Sequence, residues 1–222
     1  MIPRVAREGS EGSLASGAMK GSRLADLRTF WVETGNRRRL TAAIAPRIAR
    51  LRGRVLDVGG GREAPHDPAW DASADRIRLD LVDTHRPDVL GDAAALPFAE
   101  GSFDAAVMFQ VLEHVPDPAA VTREIHRVLA PGGTLLGSAP FIWPVHGDPQ
   151  DYYRFSDGGL RRLLRMFEGV EIVPLGNAAG AAWILLSSTS RAARLLNPLL
   201  RNLGARTDPR CPEGYVFIAR KE

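Results

Sequence analysis

V-L-D-V-G-G-G, residues Val55–Gly61, is the stretch on which the reading of this chain turns. An apolar run closes on an acid, and three consecutive glycines follow. A buried strand looks like this when it delivers the backbone to a tight turn against a ligand. Glycine alone tolerates the dihedrals of such a turn and lets main-chain N–H groups approach a bound molecule closely. Asp57 separates the loop from a plain phosphate cradle, because a carboxylate there repels a pyrophosphate and suits a ligand with positive charge.

Downstream of the loop, strand-like and helix-like segments alternate. Arg76–Leu81, Asp88–Gly91, Asp104–Gln110 and Thr134–Ala139 read as strands, with Gly53–Val58 as the first of the series. Val121, Ile125, Val128 and Leu129 make Pro118–Leu129 an amphipathic helix, which Pro131-Gly132-Gly133 is expected to stop. Asp157–Phe167 reads as a helix, Val170–Leu175 and Tyr215–Arg220 as late strands, and Ala178–Leu203 as mostly helical. Strands alternating with helices imply a doubly wound α/β fold. The expectation is a Rossmann-like sheet of seven strands, mostly parallel with an antiparallel last strand, and helices on both faces. Only Arg62–Asp75 separates the glycine loop from the second strand, and Pro65 and Pro68 interrupt it. A full helix is not expected there.

In such sheets ligands sit beyond the carboxyl ends of the strands, where the strand order reverses. Asp80 ends the second strand, about twenty residues after the glycines, where an acid can accept from both hydroxyls of a ribose. Asp83 is its nearest rival. Asp92 and Ala93 follow the third strand; a carboxylate beside a backbone N–H matches the edge of adenine, and Asp92 is also a possible helix N-cap.

Composition bounds the rest. The chain has 222 residues, 45% of them hydrophobic and 25% charged, with a net charge of +3. That fits one globular domain of ordinary size and gives little to single out nucleic acid. Residues 1–22 read as a disordered N-terminus without the apolar core of a signal peptide, and no apolar run is long enough to cross a bilayer. Residues 23–222 read as one domain, with helices in 23–51 and substrate-side or lid segments at 140–156 and 177–214. The one cysteine, Cys211, cannot form an internal disulfide, so a cytoplasmic setting is expected.

Five motifs occur in order: V-L-D-V-G-G-G at 55–61, G-D-A at 91–93, L-P-F-A-E-G-S-F-D at 96–104, F-Q-V-L-E-H-V at 109–115 and R-V-L-A-P-G-G at 127–133. Together they resemble the class I S-adenosylmethionine-dependent methyltransferases of the methyltransferase-11 type, in detail over about Arg52 to Thr134. The resemblance implies that Asp57 with Gly59, Gly60 and Gly61 flanks the methionine portion of S-adenosyl-L-methionine, whose sulfonium and ammonium suit the acid. It implies Asp80 and Leu81 at the ribose, Asp92 and Ala93 at the adenine, and Gln110 and Val111 beside the sulfonium. It assigns His114 to orienting the loop and Glu113 to the scaffold. Glu63 departs from the pattern, standing where the family has its last glycine.

A second cluster, Ser138–Phe155, follows the fifth strand and is dense in aromatic residues. Methyl transfer is an in-line displacement at a carbon already activated by the sulfonium, so positioning and desolvation carry much of the catalysis. A base is needed only where the acceptor must lose a proton. His146 is the candidate base, Arg154 an anchor for a substrate anion or a partner of Asp151. Of Tyr152 and Tyr153, one is expected to be buried and the other to face the pocket, with Tyr153 the candidate for the site. The expected partner is a small-molecule acceptor methylated at oxygen or nitrogen, with nucleic acid disfavoured, in a monomer or homodimer. The histidines His66, His85 and His126 show no metal-ligand spacing, and no metal is expected. Two rivals are a non-methylating protein of the same fold and a nicotinamide oxidoreductase. Gly59–Ala64 formally satisfies the dinucleotide fingerprint, but Asp57 and the missing helix argue against the latter.

Overall fold

Val55 and Leu56, neighbours in the opening motif, are both fully buried, yet they belong to separate apolar clusters. Successive side chains of a strand point to opposite faces, so a strand apolar at every position has a core on each side. The same split recurs on the neighbouring strand, where Ala106 and Met108 join one cluster and Ala105 and Val107 the other. The computed structural model describes residues 35–60, 69–70, 74–146, 150–200 and 202–222.

Seven strands form one sheet: β1 (Arg54–Val58), β2 (Asp75–Asp80), β3 (Val89–Leu90), β4 (Phe103–Phe109), β5 (Leu129–Pro140), β6 (Glu168–Leu175) and β7 (Gly214–Arg220). Their order is β3-β2-β1-β4-β5-β7-β6. The first five run parallel, and β7 lies antiparallel between β5 and β6. This is the doubly wound, mostly parallel sheet expected from the alternation of elements. Strand order reverses between β1 and β4, which opens a crevice at their carboxyl ends.

Helix α1 (Gly35–Ile48) packs Ile44 and Ile48 on the face that carries Val55. Helix α2 (Pro118–Val128) places Val121, Ile125 and Val128 on the other. Asp117 accepts from the N–H of Ala120 and Pro118 occupies the first helical turn, so this start is written locally in the sequence. Helix α3 (Asp157–Leu163) is shorter than its pattern suggested, ending in turns before Phe167. The segment after β6 is three helices, α4 (Ala178–Thr189), α5 (Arg191–Arg194) and α6 (Asn197–Leu200). Ala181, Trp183 and Ile184 are buried, whereas Leu185, Leu186, Leu195, Leu196, Leu199 and Leu203 are exposed.

One boundary is corrected. Pro131-Gly132-Gly133 does not separate helix from strand, because β5 starts at Leu129, immediately after α2, and runs through it. The register against β4 jumps between Phe103 and Ala105, so the extra residues form a bulge. Gly132 adopts φ +77°, and its N–H donates to Lys221 while the Lys221 N–H donates to Gly133. The far edge of β7 thus satisfies a segment that local rules read as a stop. The expected helix over 23–34, the disordered 1–22 and most of the 62–75 connection lie outside the described residues.

The first turn of α1 is tied to the far end of the sheet. Glu213, fully buried just before β7, accepts from Arg39 Nη2 at 2.5 and 2.6 Å and from Asn36 Nδ2 at 2.8 Å. A Cβ on Gly176, Gly180 or Gly204 would overlap the Glu213 side chain, so three glycines clear space for one carboxylate. No helix among the described residues is long and apolar enough to cross a membrane.

Candidate active site

At the carboxyl ends of β1 to β4, where strand order reverses, lies a cleft of about 290 Å³. Gly59, Asp80, Leu81, Asp92, Ala93, Gln110 and Val111 line it, together with His85 and His114. Seven of the ten residues singled out for cofactor contact therefore share one concave surface. Of the other three, Gly61 lies outside the described residues, and Gly60 and Asp57 do not line the cleft.

Asp57 sits beneath the loop. Its side chain is 2% exposed and accepts from Nε and Nη2 of Arg76 on β2, at 2.9 and 2.5 Å. Trp70 stacks on that guanidinium at 4.4 Å. A buried carboxylate requires such a partner, and here the partner comes from the next strand rather than from a ligand. Gly59 has φ +70° and donates to Leu79; a Cβ on it would press into Val111. A Cβ on Gly60 would fall inside the Asp57 carboxylate. The glycines hold the backbone flat against the Asp57–Arg76 pair below and open to the cleft above.

Asp80 is 8% exposed at the end of β2. Its Oδ1 accepts from the N–H of Val82 at 2.9 Å, and its Oδ2 stands 2.9 Å from Nδ1 of His85. Both oxygens thus have protein partners, one a fixed backbone donor and the other a side chain that can turn away. Asp92 is exposed and holds a turn through the N–H of Ala94. Gln110 carries φ +55°, one of two non-glycine residues in that region among those described. Its backbone N–H and its Nε2 donate to the carbonyl and hydroxyl of Ser138 on β5, which hold the strained residue at the cleft.

Residues 150–152 lie beside the short helical turn Leu112–His114, with the N–H of Tyr152 donating to the carbonyl of Glu113. Arg154 is the clamp. It donates to both oxygens of Asp151 and to the carbonyls of Trp143, Pro144 and Tyr153, and holds the Asp151 carboxyl far below its usual range. Of the two roles open to Arg154, pairing with Asp151 is the one realised. Tyr152 and Tyr153 are both exposed, so neither is the buried member expected; the Tyr153 hydroxyl donates to Pro116. Tyr153 and Arg154 line a separate groove of about 520 Å³ on the flank, with Arg123, Arg162 and Arg165. Of the three candidates for chemistry, His146 alone approaches the cleft wall, its ring edge-on to that of His114 at 5.0 Å.

Glu113 is fully buried, and neither carboxylate oxygen has a hydrogen-bond partner. Burial pushes its pKa up to about 8, against the lesser pull of its own backbone and of Arg154. The adjacent pair E-H at 113–114 signals nothing of this, because burial of the acid depends on residues distant in sequence.

Residues 56–137 match the family model of a methyltransferase domain. A demethylmenaquinone methyltransferase of Renibacterium salmoninarum is 35% identical over 139 residues, 58% of this chain and 58% of that protein. Over this segment the chain is similar to methyltransferases. A ubiquinone biosynthesis O-methyltransferase of Psychrobacter cryohalolentis is 29% identical over 162 residues, 64% of this chain and 61% of the relative. The chain thus spans less than two thirds of the length of either relative. In fold it is similar to a Haemonchus contortus phosphoethanolamine N-methyltransferase solved with S-adenosyl-L-methionine. The TM-score is 0.55 at 18% identity, covering 82% of this chain and 52% of that one.

Proposed function

We propose that this methyltransferase binds S-adenosyl-L-methionine in the strand-end cleft and transfers its methyl group to a small-molecule acceptor at oxygen or nitrogen. The observation that carries this reading is the convergence of Gly59, Asp80, Asp92 and Gln110 on one cleft at the switch point of the sheet. The relatives named for demethylmenaquinone and ubiquinone biosynthesis favour a ring acceptor of the quinone type.

When bound, the cofactor supplies a methyl carbon attached to a positive sulfur. Asp80 accepts from the ribose hydroxyls once His85 yields Oδ2, and the acidic edge at Asp92 faces the adenine amine. Gly59 and Gly60, kept free of side chains, let the loop approach the amino-acid end. Asp57 acts through Arg76, holding the loop's shape instead of meeting the ligand's charge. Gln110, locked to Ser138, forms the wall at which an acceptor meets the methyl group.

Calorimetric titration with S-adenosylhomocysteine and, separately, with NAD tests the cofactor. Micromolar binding of the first with none of the second supports the reading, and the reverse sinks it. Transfer of labelled methyl to demethylated quinone precursors tests the acceptor class.

A further inference from the structure

We propose that Glu113, His114 and His146 form a site for one divalent transition-metal ion at the wall of the cleft. One carboxylate oxygen and one nitrogen of each ring lie within 4.8 Å of one another. The setting of Glu113 calls for a cation. Its carboxylate is fully buried with no hydrogen-bond partner, and Nε2 of His114 stands 3.9 Å from its Oε1. A buried carboxylate costs more than it returns unless something positive completes it.

The two imidazoles are set as metal ligands are. Nδ1 of His114 stands 2.5 Å from the carbonyl of Gln150, and Nδ1 of His146 stands 3.2 Å from the carbonyl of Pro144 and 3.4 Å from Asp151 Oδ2. A carbonyl accepts only, so Nδ1 of each ring is the donor, and Nε2 is the nitrogen left to face a metal. Backbone and carboxylate acceptors behind ligating histidines recur around bound metals because they fix ring orientation and tautomer. The Asp151–Arg154 clamp also holds the His146 N–H, at 2.7 Å from Asp151 Oδ2.

The donor set selects the ion. Two imidazole nitrogens and one carboxylate suit Zn²⁺, Co²⁺ or Fe²⁺, whereas Mg²⁺ and Ca²⁺ ask for oxygen throughout. Bonds of about 2.0–2.2 Å require the three groups to draw together by roughly an ångström. Three protein ligands leave at least one position open, and His114 lines the cleft. Resting on the methyl-transfer reading, an acceptor hydroxyl at that position would bind through its oxygen and lose its proton to water. The new O–C bond then forms as the S–C bond breaks, leaving a neutral thioether. This removes the need for a protein base.

The test uses the full chain stripped with chelator and titrated with Co²⁺ by visible absorption and with Zn²⁺ by calorimetry. The expected result is saturation at one ion per chain. Glu113→Gln and His146→Asn should each weaken binding by more than about tenfold, while His126→Gln, far from the cluster, leaves it unchanged. Circular dichroism melts establish that each variant is folded. Absence of saturable binding, or binding equal in Glu113→Gln, His146→Asn and the parent chain, overturns the proposal. S-adenosylhomocysteine is titrated separately into the metal-free chain, so that loss of the metal site and loss of the cofactor reading are told apart.

Discussion

His85 Nδ1 and Asp80 Oδ2 are 2.9 Å apart at the wall of the cleft, so the oxygen best placed for a ribose hydroxyl is already engaged. A ligand must displace the ring or share the acid with it. Asp80→Ala should weaken S-adenosylhomocysteine binding about 10- to 100-fold, the loss of a charge-assisted hydrogen bond. His85→Ala should leave binding equal or tighter, because it removes only a competitor. Calorimetry on both variants checks the pair; equal losses would mean that His85 is itself a contact.

Gly60 lies directly over the Asp57 carboxylate, and Gly59 is in the left-handed region against Val111. Gly60→Ala should therefore destabilise the fold by about 1–3 kcal/mol through displacement of the Asp57–Arg76 pair. Gly59→Ala should cost a similar amount through backbone strain and the Val111 contact. Urea denaturation midpoints measure both, and unchanged midpoints would contradict the packing described.

The Arg39–Glu213 pair links the first turn of α1 to the start of β7. Truncating one member of a buried pair strands the other, so Glu213→Ala should cost about 3–5 kcal/mol. Hydrogen exchange should then rise first in α1. An unchanged exchange pattern would show that α1 is held by Ile44 and Ile48 alone.

Burial of His126 beside Phe167, reinforced by the charge of Lys221, lowers its pKa. Below about pH 6.5 the unfolded chain takes up a proton that the folded chain resists. Stability from this group is present above that pH and is lost as pH falls. Between pH 7 and 5, His126→Gln should lose less stability than the parent. Parallel slopes in denaturant midpoints would remove His126 from the account.

Much of the sheet was legible because its signals are local. Val55–Gly61, Asp117-Pro118 and the apolar period of α2 each identify their element within a few residues. The strand-end residues Asp80, Asp92 and Gln110 follow from the strands themselves. The misses are long-range. Arg76 is an unremarkable strand residue until the β1–β2 register sets it beside Asp57. The start of β5 depends on Lys221, and the grouping of Glu113 with His146 joins residues more than thirty apart in sequence. Tyr152 and Tyr153 were misplaced because an aromatic side chain can as well cover a surface groove as fill a pocket.

The position of β7 also has a bearing on biosynthesis. The strand that comes last in the described chain is inserted between two that precede it. Until residues 214–220 have left the ribosome, β5 and β6 have no strand between them, and Arg39 waits for Glu213. The parallel half can begin to collapse early, whereas the antiparallel half cannot close until β7 has emerged. A nascent chain stalled before residue 214 should therefore remain bound by chaperones that a chain stalled well past residue 220 releases.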